Sequence, residues 1–233
     1  MLSKFFITST GTEIGKTMVT ATLTYQLRQT GRPVTAIKPL ISGIPDSSSL
    51  IEDMKDTDTA VILDALDEKI SSQAIDRISP IRFKAPLAPS MAAKLEGREL
   101  DYSELISICM KALHSNNITL IEGVGGSFVP LTNNQLVTNW IADLNLPSIL
   151  VAGSYLGTIS HTIATVEAMQ NRGLKITSII ISESAGAGHP ELNKTANEIK
   201  YHTGLKTITL PRIAAPQPWR NAPNILEALT QGQ

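Results

Sequence analysis

The chain has 233 residues, a formal net charge of −1 and an apolar content of 42%. These values favour one globular α/β domain over residues 1–233, although two small domains would also fit the length. A charge this close to zero gives no reason to expect nucleic acid or an anionic membrane as a partner, and no apolar run is long enough to cross a bilayer. Because the single Cys109 cannot form an internal disulfide and the N-terminus has no signal-peptide pattern, we expect a cytoplasmic protein.

The first predicted elements are a buried strand at Phe5–Ile7, a phosphate-binding loop over residues 8–17 and a helix over residues 18–27. The loop reads Thr-Ser-Thr-Gly-Thr-Glu-Ile-Gly-Lys-Thr. In this context backbone N–H groups and the helix N-terminus bind phosphate, the lysine reaches the terminal phosphates, and the threonine hydroxyl binds Mg²⁺. The strict motif would place its first glycine at Thr10, whereas the glycine here is Gly11. A glycine turn with a surface lysine is the alternative interpretation.

The chain up to residue 114 predicts a second strand, a polar loop, a weak strand and three helices. The second strand is Val34–Ile37, and it must leave the sheet at Pro39, which has no N–H for a ladder hydrogen bond. Residues 43–56 predict a loop because they are rich in Gly, Pro, Ser and Asp. The weak strand is Ser79–Phe83. Helical patterns cover residues 57–66, residues 90–95 after breaks expected at Pro86 and Pro89, and residues 103–114.

The second half of the chain continues the alternation of apolar strands and helices. Strands are predicted at residues 118–121, 147–152, 176–181 and 206–210. Helices are predicted at residues 136–144, at 158–170 with Gly173 as the stop, at 191–203 and at 224–230. This alternation predicts an α/β, P-loop NTPase-like fold with a mostly parallel sheet of about seven strands and helices on both faces.

Ligands of such sheets bind beyond the carboxyl ends of the strands. That rule places five segments on one rim of the predicted sheet. They are the loop at 8–17, Lys38, Glu122–Gly126, residues 153–161, and Ser182 with Glu183. We therefore expect the functional site at this rim.

Acidic residues at the rim are candidates for binding a metal. Glu122 ends a strand and precedes three glycines, so its carboxylate would face the loop threonine, where a Mg²⁺–nucleotide enzyme needs an oxygen ligand. A solvated turn carboxylate is the alternative. Asp58 is a second candidate, although acidic residues are common at helix starts and Asp53 and Asp56 lie nearby.

Two further charged residues predict contacts with substrate. Lys38 ends a buried strand, where an ammonium needs an anionic partner such as a phosphate or a carboxylate-bearing substrate. Its alternative is a side chain whose tip reaches solvent. Glu13 lies within the phosphate loop, where a negative charge would repel phosphate, and this placement suggests that it faces a cationic substrate.

Together these motifs resemble the dethiobiotin synthetase family over about residues 4–220. Residues 9–17 stand where the family reads Gly-Thr-Asp-Thr-x-x-Gly-Lys-Thr, and they depart from it at Ser9 and Gly11. Three other family motifs have counterparts here, namely Lys38-Pro39 with Ser42-Gly43, Glu122–Gly126 with Pro130-Leu131, and Leu156-Gly157 with His161.

The resemblance implies an ATP- and Mg²⁺-dependent cyclo-ligase of biotin biosynthesis. Such an enzyme converts 7,8-diaminononanoate and CO₂ to dethiobiotin through a carbamate and a carbamic-phosphoric anhydride, and releases ADP and phosphate. The resemblance also implies a homodimer with its active site at the interface. The substrate carboxylate would bind at the start of a helix from the partner chain, here residues 155–160.

The resemblance also assigns roles to individual residues. Lys16 and Lys38 would be catalytic and bind phosphate and carbamate oxygens, and the metal would be held by Thr17, Asp58 and Glu122. The substrate would contact Thr12, Glu13, Lys38, Ser42, Gly126, Leu156 and Gly157. The nucleotide would contact Glu13, Ile14, Gly15, Lys16, Thr17, Met18, Asp58, Glu122, Gly123, Val124, Gly125, Ser182, Glu183, Pro211, Arg212 and Ile213.

Four further positions depart from the family pattern. Ser182 and Glu183 replace an Asn-Asp pair whose asparagine contacts adenine, Ala88 replaces a serine, and Ser160 replaces the asparagine before the histidine. A hydroxyl offers the base fewer hydrogen bonds than an amide, so we expect looser base selectivity, with ATP still preferred.

Two other classes of P-loop protein are alternatives to a dethiobiotin synthetase. Partition and division-site ATPases carry an additional lysine at the position of Gly11, and they need a DNA- or membrane-binding surface that the sequence does not show. Cobyrinate-amidating ligases need an additional glutaminase domain, for which 233 residues leave no room.

Overall fold

The computed structural model describes residues 4–44, 50–186 and 188–230. Within these ranges the strands are β1 (Lys4–Ser9), β2 (Val34–Ile37), β3 (Leu40–Ser42), β4 (Ile81–Phe83), β5 (Ile118–Glu122), β6 (Ser148–Gly153), β7 (Ile176–Ser182) and β8 (Thr207–Leu210). The α-helices are α1 (Lys16–Gln29), α2 (Leu50–Met54), α3 (Asp58–Ala65), α4 (Ser72–Ile78), α5 (Pro89–Leu95), α6 (Tyr102–Leu113), α7 (Val137–Leu144), α8 (Thr158–Asn171), α9 (Leu192–Thr203) and α10 (Ile225–Thr230). A 3₁₀ turn spans Pro218–Arg220.

The main sheet has six parallel strands in the order β2-β5-β1-β6-β7-β8. The predicted α/β fold with a mostly parallel sheet is confirmed, but the sheet has six strands rather than about seven. The weak strand at 79–83 does not join it, because β4 pairs instead with β3, a strand that we did not predict. The chain does leave the main sheet at Pro39, whose carbonyl accepts a hydrogen bond from the N–H of Ile81 at 3.0 Å.

The central strands are buried because helices cover the sheet. Every residue of β5 and β6 is buried, as expected for the near-continuous apolar runs of a parallel sheet. Phe6 of β1 meets Trp140 of α7 edge to face, with ring centroids 4.9 Å apart. Among the described residues, no helix combines the length and apolar character that a membrane span requires.

Several helix predictions need correction. Part of the loop predicted at 43–56 is helical, since α2 occupies residues 50–54, while residues 45–49 lie outside the described ranges. Helix α4 was not predicted because only three of its residues are apolar; Ser71 caps it by accepting a hydrogen bond from the N–H of Ala74 at 3.2 Å. Pro89 does not break regular structure but begins α5, where its missing N–H costs no helical hydrogen bond.

Candidate active site

The loop between β1 and α1 has the backbone of a phosphate-binding loop. Gly15 caps α1 with a φ of 98°, in the left-handed region that favours glycine. A Cβ at this position would also collide with the hydroxyl of Ser182. Glu13 takes a φ of 58° and is exposed. The loop therefore turns sharply, presents Glu13 to solvent and delivers Lys16 and Thr17 at the start of the helix.

A cluster of charges, in which Lys38 and Glu122 are buried and Asp58 is partly exposed, lies beside this loop. The hydroxyl of Thr17 donates to Glu122 Oε1 at 2.7 Å, and Lys38 Nζ donates to the same oxygen at 2.8 Å. Lys38 also forms an ion pair with Asp58. Glu122 is 0% exposed and Lys38 is 4% exposed, so the solvated carboxylate and the solvent-reaching lysine are both wrong interpretations.

Electrostatics favour the charged forms of Lys38 and Asp58. Burial opposes the charge of Lys38, but the carboxylates of Glu122 and Asp58 outweigh it and raise the pKa of Lys38 above its ordinary value. Burial likewise favours neutral Asp58, but the ammonium of Lys38 lowers the pKa of that carboxyl. The site therefore keeps a lysine ammonium beside two carboxylates at the end of the phosphate loop.

Lys16 begins α1 and contacts the loop itself. Its Nζ donates to Ser9 Oγ at 3.1 Å and approaches the carbonyl of Gly11 at 3.5 Å. Burial, together with the positive charge of Lys38, lowers the pKa of Lys16 to about 8. The ammonium of Lys16 thus pays a desolvation cost that an anionic ligand would offset.

The donor atoms around Glu122 fit Mg²⁺. The second carboxylate oxygen, Oε2, is buried and has no hydrogen-bond partner among the described residues. With the hydroxyl of Thr17 and the carboxylate of Asp58 nearby, the site offers the oxygen donors that Mg²⁺ prefers. Asp53 and Asp56, the neighbouring candidates, do not line the cavity beside the loop.

A cavity of about 680 Å³ opens beside the loop and the cluster. Its polar lining consists of Thr12, Glu13, Gly15, Lys16, Thr17, Lys38, Ser42, Asp58 and Gly125. Its apolar lining consists of Ile14, Ile41, Pro86, Leu87, Ala88, Pro89, Val124 and Val129. Ile14 and Val124 were predicted as nucleotide contacts, and Ala88 was noted as a departure from the family. The rest of the apolar wall was missed, because an apolar side chain in a loop gives no sign of the chemistry it serves.

The residues expected at the nucleotide base lie outside this cavity. Ser182 ends β7 beside Gly15, and the carboxylate of Glu183 accepts a hydrogen bond from the backbone N–H of Arg212 at 2.8 Å. Glu183 thereby anchors the turn at Pro211–Ile213 next to the loop. Met18 packs against an apolar cluster that contains Trp219. Base selectivity at Ser182 stays a prediction.

Glu122, which is fully buried, and four other predicted residues also lie outside the cavity lining. Gly123 packs beside the Phe6 ring of β1 and Gly126 against the backbone of Gly11, so the segment after β5 can approach both β1 and the phosphate loop closely. Leu156 and Gly157, predicted to contact substrate, lie at the start of α8, and Leu156 is 88% exposed.

The fold and the site together define a P-loop nucleotide-binding protein. Its sheet, its glycine loop and its buried lysine–carboxylate cluster share one rim, as the carboxyl ends of parallel strands require. The sequence profile of the family described as AAA domain matches residues 3–215. The chain belongs to this family and, within it, to the dethiobiotin synthetases.

Sequence identity to known dethiobiotin synthetases supports this family assignment. The chain is 41% identical to the ATP-dependent dethiobiotin synthetase of Methylobacterium nodulans over 214 residues, which cover 91% of this chain and 94% of the relative. It is 37% identical to the enzyme of the same name from Phenylobacterium zucineum over 219 residues, 93% and 89% of the two chains. A ParA family ATPase from Chlorobium tepidum superposes with a TM-score of 0.53 at 17% identity, covering 100% of this chain and 91% of that one, and this likeness shows the fold alone.

Proposed function

We propose that this protein is an ATP- and Mg²⁺-dependent dethiobiotin synthetase, which converts 7,8-diaminononanoate and CO₂ to dethiobiotin in biotin biosynthesis. The observation that carries the proposal is the buried Lys38, held by Glu122 and Asp58 beside the phosphate loop and lining the same cavity as Lys16. The 41% sequence identity to a dethiobiotin synthetase, over 91% of this chain, supports the proposal. A cytoplasmic location stays a prediction.

The proposed reaction has three steps. One amine of the substrate attacks CO₂ and loses a proton, which gives a carbamate. A carbamate oxygen attacks the γ-phosphorus of ATP, and ADP leaves. The second amine then attacks the carbamoyl carbon, phosphate leaves with its bonding electrons, and the ureido ring closes with loss of a proton.

The residues of the cavity suit these steps by charge and position rather than by covalent chemistry. Lys16 and Lys38 both line the cavity, so their ammonium groups can neutralise the carbamate and the charge that spreads over the transferring phosphoryl group. Ser42 Oγ is buried and has no hydrogen-bond partner among the described residues, and is therefore available to donate to a carbamate oxygen. Glu13 offers an exposed carboxylate to a substrate ammonium.

Thr17, Asp58 and Glu122 would hold Mg²⁺. Bound with the nucleotide, the ion would neutralise phosphate charge and orient the terminal phosphates. The apolar wall that includes Ile41, Leu87 and Val129 would contact the alkyl chain of the substrate.

The proposal is tested by incubating the protein with diaminononanoate, bicarbonate and Mg·ATP and measuring dethiobiotin by mass spectrometry. Formation of dethiobiotin and ADP in equal amounts, dependent on all components, is the expected result. ATP hydrolysis that proceeds without dethiobiotin and does not respond to the diamine would contradict the proposed function.

The protein is expected to act as a homodimer in which α8 of one copy completes the cavity of the other. The exposed Leu156 and the start of α8 after Gly157 form the surface that would dock, since helix N-terminal N–H groups suit a substrate carboxylate. Leu156→Asp is expected to dissociate the dimer and raise the KM for diaminononanoate, as measured by light scattering and initial rates. The matched control is Tyr201→Asp, at another exposed apolar residue. A monomer with full activity would contradict the proposed homodimer with a shared active site.

The affinity for Mg·ATP is expected to fall as the pH rises above about 8, because Lys16 then loses its proton. Bound phosphates favour the charged lysine, so binding above that pH should take up a proton. Titration calorimetry near pH 7 and near pH 9, in buffers of different ionisation enthalpy, measures the affinity for Mg·ATP and the number of protons taken up on binding. Lys16→Arg, which keeps its charge, is the control. Unchanged affinity without proton uptake in the unmodified protein would contradict the prediction.

A further inference from the structure

Ser9 makes an unusual set of contacts at the end of β1. Its side chain is fully buried. The hydroxyl accepts a hydrogen bond from Lys16 Nζ at 3.1 Å and donates to the carbonyl of Gly11 at 2.6 Å or to that of Gly125 at 3.0 Å. One side chain thus contacts the phosphate loop, its lysine and the glycine loop that follows β5.

These contacts orient the hydroxyl with respect to the lysine. Because its proton points to a carbonyl oxygen, its own oxygen faces the ammonium, and such chained hydrogen bonds strengthen one another. Among the described residues, the other hydrogen-bond acceptor of Lys16 Nζ is the carbonyl of Gly11 at 3.5 Å, which is a long contact. A flexible four-carbon side chain would otherwise have several positions open to it.

We propose that Ser9 is a positioning residue that holds the ammonium of Lys16 along the phosphate loop, ready for the terminal phosphates. This inference depends on the proposed function in one respect only, namely that kcat is measured as dethiobiotin formation. Hydroxyls elsewhere at this junction join loop to loop without touching the lysine: Ser127 Oγ donates to the carbonyl of Ser9 at 3.0 Å and lies 2.9 Å from Thr8 Oγ1. Ser127 therefore provides a matched control.

The test compares Ser9→Ala with Ser127→Ala, with Ser9→Gly as a second variant that also removes the hydroxyl. Ser9→Ala is expected to lower kcat about tenfold, as for loss of a hydrogen bond to a charged group, while the KM for ATP changes less than about threefold. Ser127→Ala is expected to lower the melting temperature and leave kcat unchanged. An unchanged kcat in both folded Ser9 variants, or an equal fall in kcat in Ser9→Ala and Ser127→Ala, would overturn the inference.

A crystal structure of each alanine variant separates this inference from the proposed function. The ammonium of Lys16 is expected to leave its position near Gly11 in Ser9→Ala and to keep it in Ser127→Ala, whatever the substrate is. A lysine that stays in place in Ser9→Ala would overturn the positioning role even if the unmodified protein makes dethiobiotin. Failure of the unmodified protein to make dethiobiotin would overturn the proposed function and leave the position of Lys16 as the deciding measurement for Ser9.

Discussion

Lys16→Met is expected to lower turnover by about a thousandfold while the protein stays folded. The ammonium would stabilise charge that develops on the transferring phosphoryl group, and groups of this kind are worth several kcal/mol at the transition state. Methionine retains most of the volume of the buried side chain but carries no charge. Initial rates at saturating Mg·ATP measure the loss.

The same substitution is expected to maintain or raise the stability of the nucleotide-free protein. The folded-state pKa of Lys16 is about 8, against an ordinary value of 10.5, so the unfolded chain binds an additional proton between these pH values. The cost of burying this charge is therefore complete below about pH 8, on the order of 3 kcal/mol, and it disappears as the pH rises through 10.5. Removing the ammonium removes that cost at neutral pH.

Urea unfolding at about pH 7 measures the second half of this prediction. An increase in the free energy of unfolding, with the activity lost, would identify Lys16 as a group that serves binding at the expense of stability. A folded Lys16→Met variant with turnover near that of the unmodified protein would show that the loop assignment is wrong. A large loss of stability would show instead that the lysine is a structural residue.

Sequence patterns predicted the main sheet well because its strands are buried on both faces. Continuous apolar runs such as Ile118–Ile121 leave few other solutions, and a parallel sheet then gathers the strand ends at one rim. For this reason the loop at 8–17, Lys38 and Glu122 could be placed together before the fold was known. The structure brings Lys38 and Glu122 within 2.8 Å of each other.

Features that depend on contacts distant in sequence could not be predicted in the same way. The strand β3 has three residues, too few to show a period, and it forms only because β4 lies beside it. Ser9 appeared as a departure from the family loop, and its contact with Lys16 depends on how the loop folds back. The pairing of Lys38 with Asp58 likewise depends on the position of α3, which no local pattern fixes.

Lys38→Met is expected to lower turnover by at least about a hundredfold, while the affinity for a non-hydrolysable ATP analogue changes less than about fivefold. Lys38 lines the cavity together with Asp58, where it would neutralise the carbamate and the phosphoryl oxygens rather than the base. Calorimetry with the analogue and initial rates with ATP measure the two quantities. Equal losses of affinity and rate would identify Lys38 as a simple nucleotide contact.

Stability must be separated from this effect, because Lys38→Met leaves the carboxylate of Glu122 buried without its ammonium. The raised pKa of Lys38 means that its charge stabilises the fold below the ordinary value of 10.5, and that this contribution is lost only as the pH rises through the folded-state pKa. Removing one partner of a buried pair costs about 3–5 kcal/mol. The double variant Lys38→Met/Glu122→Gln removes both charges, so it should recover much of the stability and none of the turnover. If the turnover of Lys38→Met fell only in proportion to the fraction of the protein that is unfolded under the assay conditions, Lys38 would act on the fold and not on the reaction.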